Sequence, residues 1–375
     1  VGKPLRVMQI GMTPNQGGLE SYIMSMYRSM DREKIQFDFF SFKDEKIAYQ
    51  AEIENLGGKV YDVGYKRRNI LNHYLRFPFF FFKNHPEIDV VHFHKTSLID
   101  IEYIMLSYFS KVPVRIIHSH SSGNMFSSGK LVKNIEKWNK KKINKFVTDK
   151  FACSELAGEW LFNDKNYKVV KNAIKLEKFR FNKNKRVELR NKFKLDDKCL
   201  VIGHIGYFTP VKNHEFILEM FKSLLKENEN SCLILIGDGI LKKNIEDLAI
   251  DLDIQNKIKF LGVTDDVSSL LSMMDVFILP SKFEGLPISA VEAQCSGLPT
   301  LLSDKITKEV KLTERCQFLS LNDINLWVTT IKKYRENTID RESVFYKLKE
   351  QGFDIDDEAK KMANFYVESI KNKEI

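Results

Sequence analysis

At 375 residues, with ordinary apolar and charged fractions for a soluble globular protein, the chain is long enough for two domains or one large one, and it has no run approaching the roughly 18–20 apolar residues of a helical membrane span. Cys153, Cys199, Cys232, Cys295 and Cys316 are widely spaced and lack any C-x-x-C pair, which argues against a disulfide scaffold and for free thiols in a reducing cytosol. The net charge of +9 calls for an anionic partner; with no nucleic-acid motif in view, a diphosphate ligand and an anionic membrane face are the candidates.

The opening Val1–Arg6 leads into a strand at Leu5–Ile10 and has no signal-peptide pattern, so a cytoplasmic location is expected. A polar loop, Gly11 to Gly18, precedes a helix whose apolar face is Leu19, Tyr22, Ile23, Met26, Tyr27 and Met30. This is the βα opening of a doubly wound domain, without the G-x-G-x-x-G of a dinucleotide site. Strands are expected at Phe37–Phe40, Lys59–Val63, Asp89–His94 and Val114–His120. The last two each end in His-x-His: His92 with His94, and His118 with His120. Ligands of open α/β sheets sit outside the carboxyl ends of the strands, and residues two apart share a face. Two such pairs suggest a metal site, but no carboxylate or cysteine is spaced to complete it, and no metal is expected.

Two stretches are both basic and apolar. Phe77-Pro78-Phe79-Phe80-Phe81-Phe82 lies beside Lys66, Arg67, Arg68 and Arg76, and Lys130 to Lys145 carries seven lysines around Leu131, Ile135, Trp138 and Ile143. Two readings stay open for the second: a peripheral contact with anionic membrane, or a core-facing helix with a solvated basic face. A strand at Lys150–Ser154, a Ser154-capped helix through Trp160 and a segment at Val169–Ile174 follow. The charged, apolar-poor stretch 176–197 reads as an interdomain connection.

A second βα opening starts at Leu200–Tyr207, passes Lys212-Asn213-His214 and continues as a helix through Leu225. Leu233–Gly239 and Lys257–Val263 read as buried strands with turns, and Asp265 to Met274 as a capped helix. Asp275–Ile278 is another strand. After it comes Leu279-Pro280-Ser281-Lys282-Phe283-Glu284-Gly285-Leu286-Pro287-Ile288-Ser289-Ala290-Val291-Glu292, closed by Gly297-Leu298-Pro299. The pattern is strand, turn, then a short helix with Pro287 at its start and Gly297 at its stop. A helix N-terminus at a sheet's carboxyl edge favours anions. Glu284 in the turn and Glu292 about one turn into the helix add carboxylates suited to hydroxyls, which together fit a sugar nucleotide. Beyond Thr300 one more strand–helix set and a final helix near Asp357 to Lys371 are expected.

Glu284 and Glu292, with seven residues between them, resemble the Glu-x7-Glu motif of retaining glycosyltransferases of family 4, in the branch that builds bacterial capsule, exopolysaccharide and O-antigen. Gly17-Gly18-Leu19-Glu20 resembles that family's Gly-Gly-x-Glu, and Gly206-Tyr207 to Lys212-Asn213 its Gly-Arg, four residues, Lys-Asn. The resemblance implies the GT-B fold, α/β, with two Rossmann-like doubly wound lobes facing across a cleft. The lobes would be residues 1–175, with the last helix, 357–375, packed back on them, and 198–356, joined by 176–197. It implies transfer of a sugar, with retention, from UDP or another nucleoside diphosphate to a hydroxyl of a glycan acceptor, often lipid-linked, without a bound metal. Carried over residue by residue, Lys212 would neutralise the diphosphate together with Gly285, Leu286, Pro287 and Ile288, and Glu284 would orient the sugar. Glu292 would hold the ribose, and the backbone at Gly262 and Val263 the base. Gly17 and Gly18 would admit the phosphates, and His118 or His120 would touch sugar or acceptor. Tyr207 stands where the family has arginine, a departure that leaves a non-catalytic GT-B subunit as one alternative. A sugar-nucleotide epimerase is another.

Overall fold

The computed structural model describes residues 3–42, 46–62, 77–123, 129–334, 341 and 344–373, with the side chains of 77–79 excepted. Lys66, Arg67, Arg68 and Arg76 of the first basic stretch, and Val63, lie outside the described residues. The chain divides into two compact units, Val1–Ala173 with Ile355–Ile375, and Ile174–Asp354.

The first unit holds β1 (Leu5–Ile10), α1 (Gly18–Ser29), β2 (Ile35–Ser41), α2 (Gln50–Asn55), β3 (Val60–Asp62), α3 (Phe77–Asn84), β4 (Ile88–Lys95), α4 (Glu102–Phe109), β5 (Val114–Ser119), α5 (Lys130–Phe146), β6 (Asp149–Ala152), α6 (Glu155–Leu161) and β7 (Lys168–Val169). Its sheet is parallel throughout, in the order β3-β2-β1-β4-β5-β6-β7. A parallel sheet covered on both faces needs strands apolar on both sides, and β2 and β4 answer with near-continuous burial. Register puts Gln9 beside His92 and His94 beside His118, so Gln9, His92, His94 and His118 share one face. α1 packs there with its Tyr22, Ile23, Met26 and Tyr27 buried. Ser154 caps α6 by accepting from the Ala157 N–H at 3.2 Å.

The second unit runs α7 (Leu176–Phe179), α8 (Lys183–Lys192), β8 (Leu200–Ile205), α9 (His214–Glu227), β9 (Ser231–Ile236), α10 (Lys242–Asp251), β10 (Ile258–Gly262), α11 (Val267–Met273), β11 (Val276–Leu279), α12 (Ile288–Cys295), β12 (Thr300–Ser303), β13 (Cys316–Leu319), α13 (Ile324–Lys333) and α14 (Val344–Glu350). The strand order β10-β9-β8-β11-β12-β13 is again all parallel. Ile202, Leu233, Leu235, Ile278 and Trp327 are among the residues of its core.

The stretch expected to be a connection, 176–197, is instead part of this unit. Two of its charges are anchors: Arg186 reaches Asp275 at 2.5 Å and Arg190 reaches it at 3.3 Å, while Arg186 also donates to the Met273 and Met274 carbonyls at the end of α11. The unit boundary falls at Ala173/Ile174, two residues before the limit read from the sequence. α15 (Ile355–Lys371) belongs to the first unit, where it packs on α1, and Ser29 donates to Asp356 at 2.8 Å.

Candidate active site

In the second unit the strand order reverses between β8 and β11, the place where such sheets open a ligand crevice. The loops after these two strands are tied together: Lys282 N–H donates to the Val211 carbonyl at 2.8 Å, and the Asn213 amide to the Pro280 carbonyl at 3.3 Å. That tie sets Lys212 Nζ 2.6 Å from Glu284 Oε1, with both side chains mostly covered. Beneath them lie two imidazoles. His204 Nδ1 bonds the Ile278 carbonyl at 3.0 Å, and His214 stacks on Phe208 at 4.0 Å. Burial, with the Lys212 charge adding to it, pushes His204 down to about 3 and His214 to about 2, so neither competes with Lys212 as a cation.

Pro287 stands at the N-cap of α12, and Gly297 ends the helix with φ +68. The Gly297 N–H donates to the Gln294 carbonyl and the Leu298 N–H to that of Ala293, the paired bonds of a left-handed C-terminal stop. A side chain at 297 would also run into the Arg341 backbone. Gly285, Leu286 and Pro287 are buried at the entrance to this helix. Glu292 is partly exposed as a residue, yet its carboxyl is desolvated. Burial pushes it up to about 8, with Lys178 of α7 pulling weakly the other way. Gly262 ends β10 at φ +66, its carbonyl taken by the Gly237 N–H at 2.9 Å, and Val263 beyond it is exposed. Tyr207 is exposed just past β8.

The first unit reverses its strand order between β1 and β4. Gly11, at φ +142, passes so close to the His94 backbone that a Cβ would sit 2.7 Å from its carbonyl oxygen. Gly17 is the N-cap of α1 and Gly18 its first residue. Glu20 of the same motif turns inward: it accepts from Thr13 Oγ1 at 2.6 Å, Thr13 N–H at 3.1 Å and Gly17 N–H at 3.2 Å, stapling the loop. Burial raises its pKa against those bonds. A cavity of about 220 Å³ opens beside this loop, lined by Met12, Thr13, Phe42, His94, Asp100 and Tyr103 among others.

Four histidines cluster here. His118 is fully buried, with its ring 4.1 Å from that of His120, which is partly exposed just beyond β5. His94 bonds His120 at 2.8 Å through Nδ1 and Gln9 at 2.7 Å through Nε2, and His92 bonds the Tyr366 hydroxyl at 2.7 Å. Burial pushes His92 and His120 down to about 3, and His94 and His118 also fall well below the usual histidine range. All four are therefore neutral near pH 7. Nitrogens of His92, His94 and His118 lie within 4.8 Å of one another, so three of the four residues of the two His-x-His pairs do come together. The His92 ring lies within 20° of parallel to those of His94 and His118, which presents their nitrogens side by side instead of aiming them at one centre. Gln9 and Tyr366, 274 residues from its partner His92, carried no sequence signal; only the return of α15 brings the phenol to the cluster.

A family model described as glycosyl transferases group 1 matches residues 185–314, the stretch that holds Lys212, Glu284 and Glu292. "Putative glycosyltransferase EpsF" of Bacillus subtilis (strain 168) is 32% identical over 385 aligned positions, covering 96% of either chain. The chain belongs to the group 1 glycosyltransferases. A second relative, the UDP-Gal:alpha-D-GlcNAc-diphosphoundecaprenol alpha-1,3-galactosyltransferase of Escherichia coli, is 26% identical across 76% of each chain. Among solved structures, Anabaena HepE in complex with UDP and glucose superposes with a TM-score of 0.79 at 16% identity, over 97% of this chain and 100% of that one. Two parallel Rossmann-like sheets and that likeness assign this glycosyltransferase the GT-B fold.

Proposed function

We propose that this glycosyltransferase moves a sugar, with retention, from a nucleoside diphosphate to a hydroxyl of a lipid-linked glycan acceptor in surface-polysaccharide synthesis, as a family 4 enzyme. The observation that carries the donor half is the Lys212–Glu284 pair at the β8/β11 switch point, next to the N-terminus of α12. A departing diphosphate develops negative charge, and a fixed ammonium beside a helix start is suited to stabilise it. Glu284 takes the sugar hydroxyls and Glu292 the ribose diol; Gly285 to Ile288 line the phosphates, and Gly262 with Val263 the base. Gly17 and Gly18 give phosphate and acceptor close access, and His120 meets the acceptor hydroxyl. The reaction as written calls on no metal. The named activity of the Escherichia coli relative, on a diphosphoundecaprenol-linked sugar, supports a lipid-linked acceptor, and the HepE complex supports a UDP donor.

Such an acceptor is met at a bilayer surface, and α5 supports peripheral docking there. Among the described residues no helix is long and apolar enough to cross a membrane. α5 instead turns its polar Glu136 and Asn139 inward, where they bond Leu98, and its apolar Leu131, Ile135 and Trp138 outward. Lys133, Lys137, Lys141, Lys142 and Lys145 are exposed on the same helix, and Lys142 sits 3.5 Å over the Trp138 ring. An outward apolar stripe among lysines complements anionic lipid.

The deciding experiment screens nucleotides and sugar nucleotides by thermal shift, then follows the product by NMR. A nucleotide at 100 times its Kd adds about 2.7 kcal/mol of stability. Binding of a nucleoside diphosphate, followed by a product of unchanged anomeric configuration, is expected. No nucleotide binding, or an inverted product, overturns the reading.

A further inference from the structure

We infer that Gln9 and His94 are positioning residues that fix the tautomer of His120, so that His120 offers a bare Nδ1 to the acceptor hydroxyl, a use that rests on the transfer reaction proposed above. The bonds form one chain from β1 through β4 to His120, just past β5. The side-chain amide of Gln9 is buried and hydrogen-bonds His94 through Oε1. An amide nitrogen only donates and an amide oxygen only accepts. Oε1 is the atom that faces His94, so it accepts from His94 Nε2 at 2.7 Å. His94 is buried and neutral, so a proton on Nε2 means none on Nδ1. That bare Nδ1 must then accept the 2.8 Å bond from His120 Nε2. His120 is neutral too, and its single proton is committed inward.

His92 lies outside this chain of bonds: its Nδ1 bonds the Tyr366 hydroxyl at 2.7 Å, and its Nε2 has no hydrogen-bond partner among the described residues. His118 takes no part: neither ring nitrogen has a hydrogen-bond partner among the described residues, and its ring packs between those of His92 and His120. Of the two histidines that end β5, His120 is thus the one wired to the interior, and His118 is the packing. Turning the Gln9 amide over would reverse every bond in the chain and put a proton on His120 Nδ1, where it repels the hydroxyl proton it is meant to accept.

The two arrangements differ in where one proton sits, which long-range 1H–15N correlation spectra of the 15N-histidine-labelled whole chain read directly. His120 signals are assigned by their loss in His120→Gln. A proton on Nε2 and none on Nδ1 is expected; a proton on Nδ1 overturns the inference, whatever the chain transfers. In Gln9→Met the fixed acceptor is gone, and His120 should become a tautomer mixture. Turnover of the nucleotide sugar identified by the screen should fall about 10–100-fold with its Kd unchanged, as expected for a misaligned reacting group. An unchanged His120 spectrum in Gln9→Met overturns the role of Gln9. Should that variant not fold, the wild-type spectrum still decides. A correct tautomer in a chain that binds no nucleotide would retire the proposed reaction and leave the wiring intact.

Discussion

Lys212 Nζ and Glu284 Oε1 stand 2.6 Å apart across 72 residues of sequence, and in the reaction proposed above this contact sets the terms on which a diphosphate enters. The anion must share the ammonium with a carboxylate that repels it. Removing the charge in Glu284→Gln therefore has opposite expected effects on two ligands: UDP alone binds as well as before or better, while sugar transfer falls about 100-fold for loss of the sugar's anchor. Lys212→Ala removes a charge-assisted bond of roughly 1.5–3 kcal/mol and should weaken UDP about 10–100-fold. Titration calorimetry with UDP, and turnover with the sugar nucleotide, separate the two roles. Equal losses of UDP affinity in both variants would show that the pair merely holds the loops.

Glu292 gives a prediction whose sign follows from its desolvation. Its carboxyl moves from 4.5 up to about 8, so between those pH values the folded chain holds a proton that the unfolded chain has released. Stability contributed by that proton is present in acid and declines as pH rises through the window. Glu292→Gln should flatten this part of the profile of urea midpoint against pH. Ribose hydroxyls donating to the carboxylate favour its charged form, so nucleotide binding near pH 7 should release a proton. Calorimetry in buffers of different ionisation enthalpy reads that release, and Glu292→Gln should abolish it.

Tyr207 leads to a gain-of-function expectation. It is exposed just past β8, five residues before Lys212, where the resembling family carries arginine. Tyr207→Arg adds a permanently charged fork suited to phosphate. UDP affinity should rise about 10-fold, and the gain should shrink with added salt. An unchanged Kd would mean that position 207 lies out of reach of the diphosphate.

The strands were legible because parallel sheets demand unbroken apolar runs, and Leu233–Ile236 or Val276–Leu279 read as little else. The Ser154 cap and the Gly297 stop were legible for local reasons, since each is settled within a few residues. What escaped was non-local or depended on which way a side chain faces. Arg186 and Arg190 made 176–197 look like a solvated linker because their partner, Asp275, is far away in sequence. Glu20 sits in a motif associated with ligand approach, yet it points inward and binds its own loop. The same limit left His118 and His120 undistinguished, since a strand's end residue and the one two before it share a face. Only burial and partners separate them.

α5 allows the membrane reading to be separated from the catalytic one. Its inward face holds Glu136 and Asn139, which bond Leu98, together with buried Ile143 and Phe146, and its outward face holds Leu131, Ile135 and Trp138, so substitutions on the outward face touch little of the core. Binding to vesicles rich in anionic lipid should weaken on raising the salt and vanish in Leu131→Ser/Ile135→Ser/Trp138→Ser. Neutralising Lys133, Lys137 and Lys141 to Gln removes about 1 kcal/mol each near an anionic surface, roughly 100-fold in partitioning. Lys140 is a poor choice for such a test, because its ammonium packs 4.9 Å over the Trp160 ring and reaches the Trp160 carbonyl. The nucleotide site proposed above lies in the other unit, so nucleotide affinity should stay constant in both variants. Vesicle binding that survives both sets of changes would remove α5 as the docking element, since hydrophobic insertion and charge attraction are the two forces that this helix offers a bilayer.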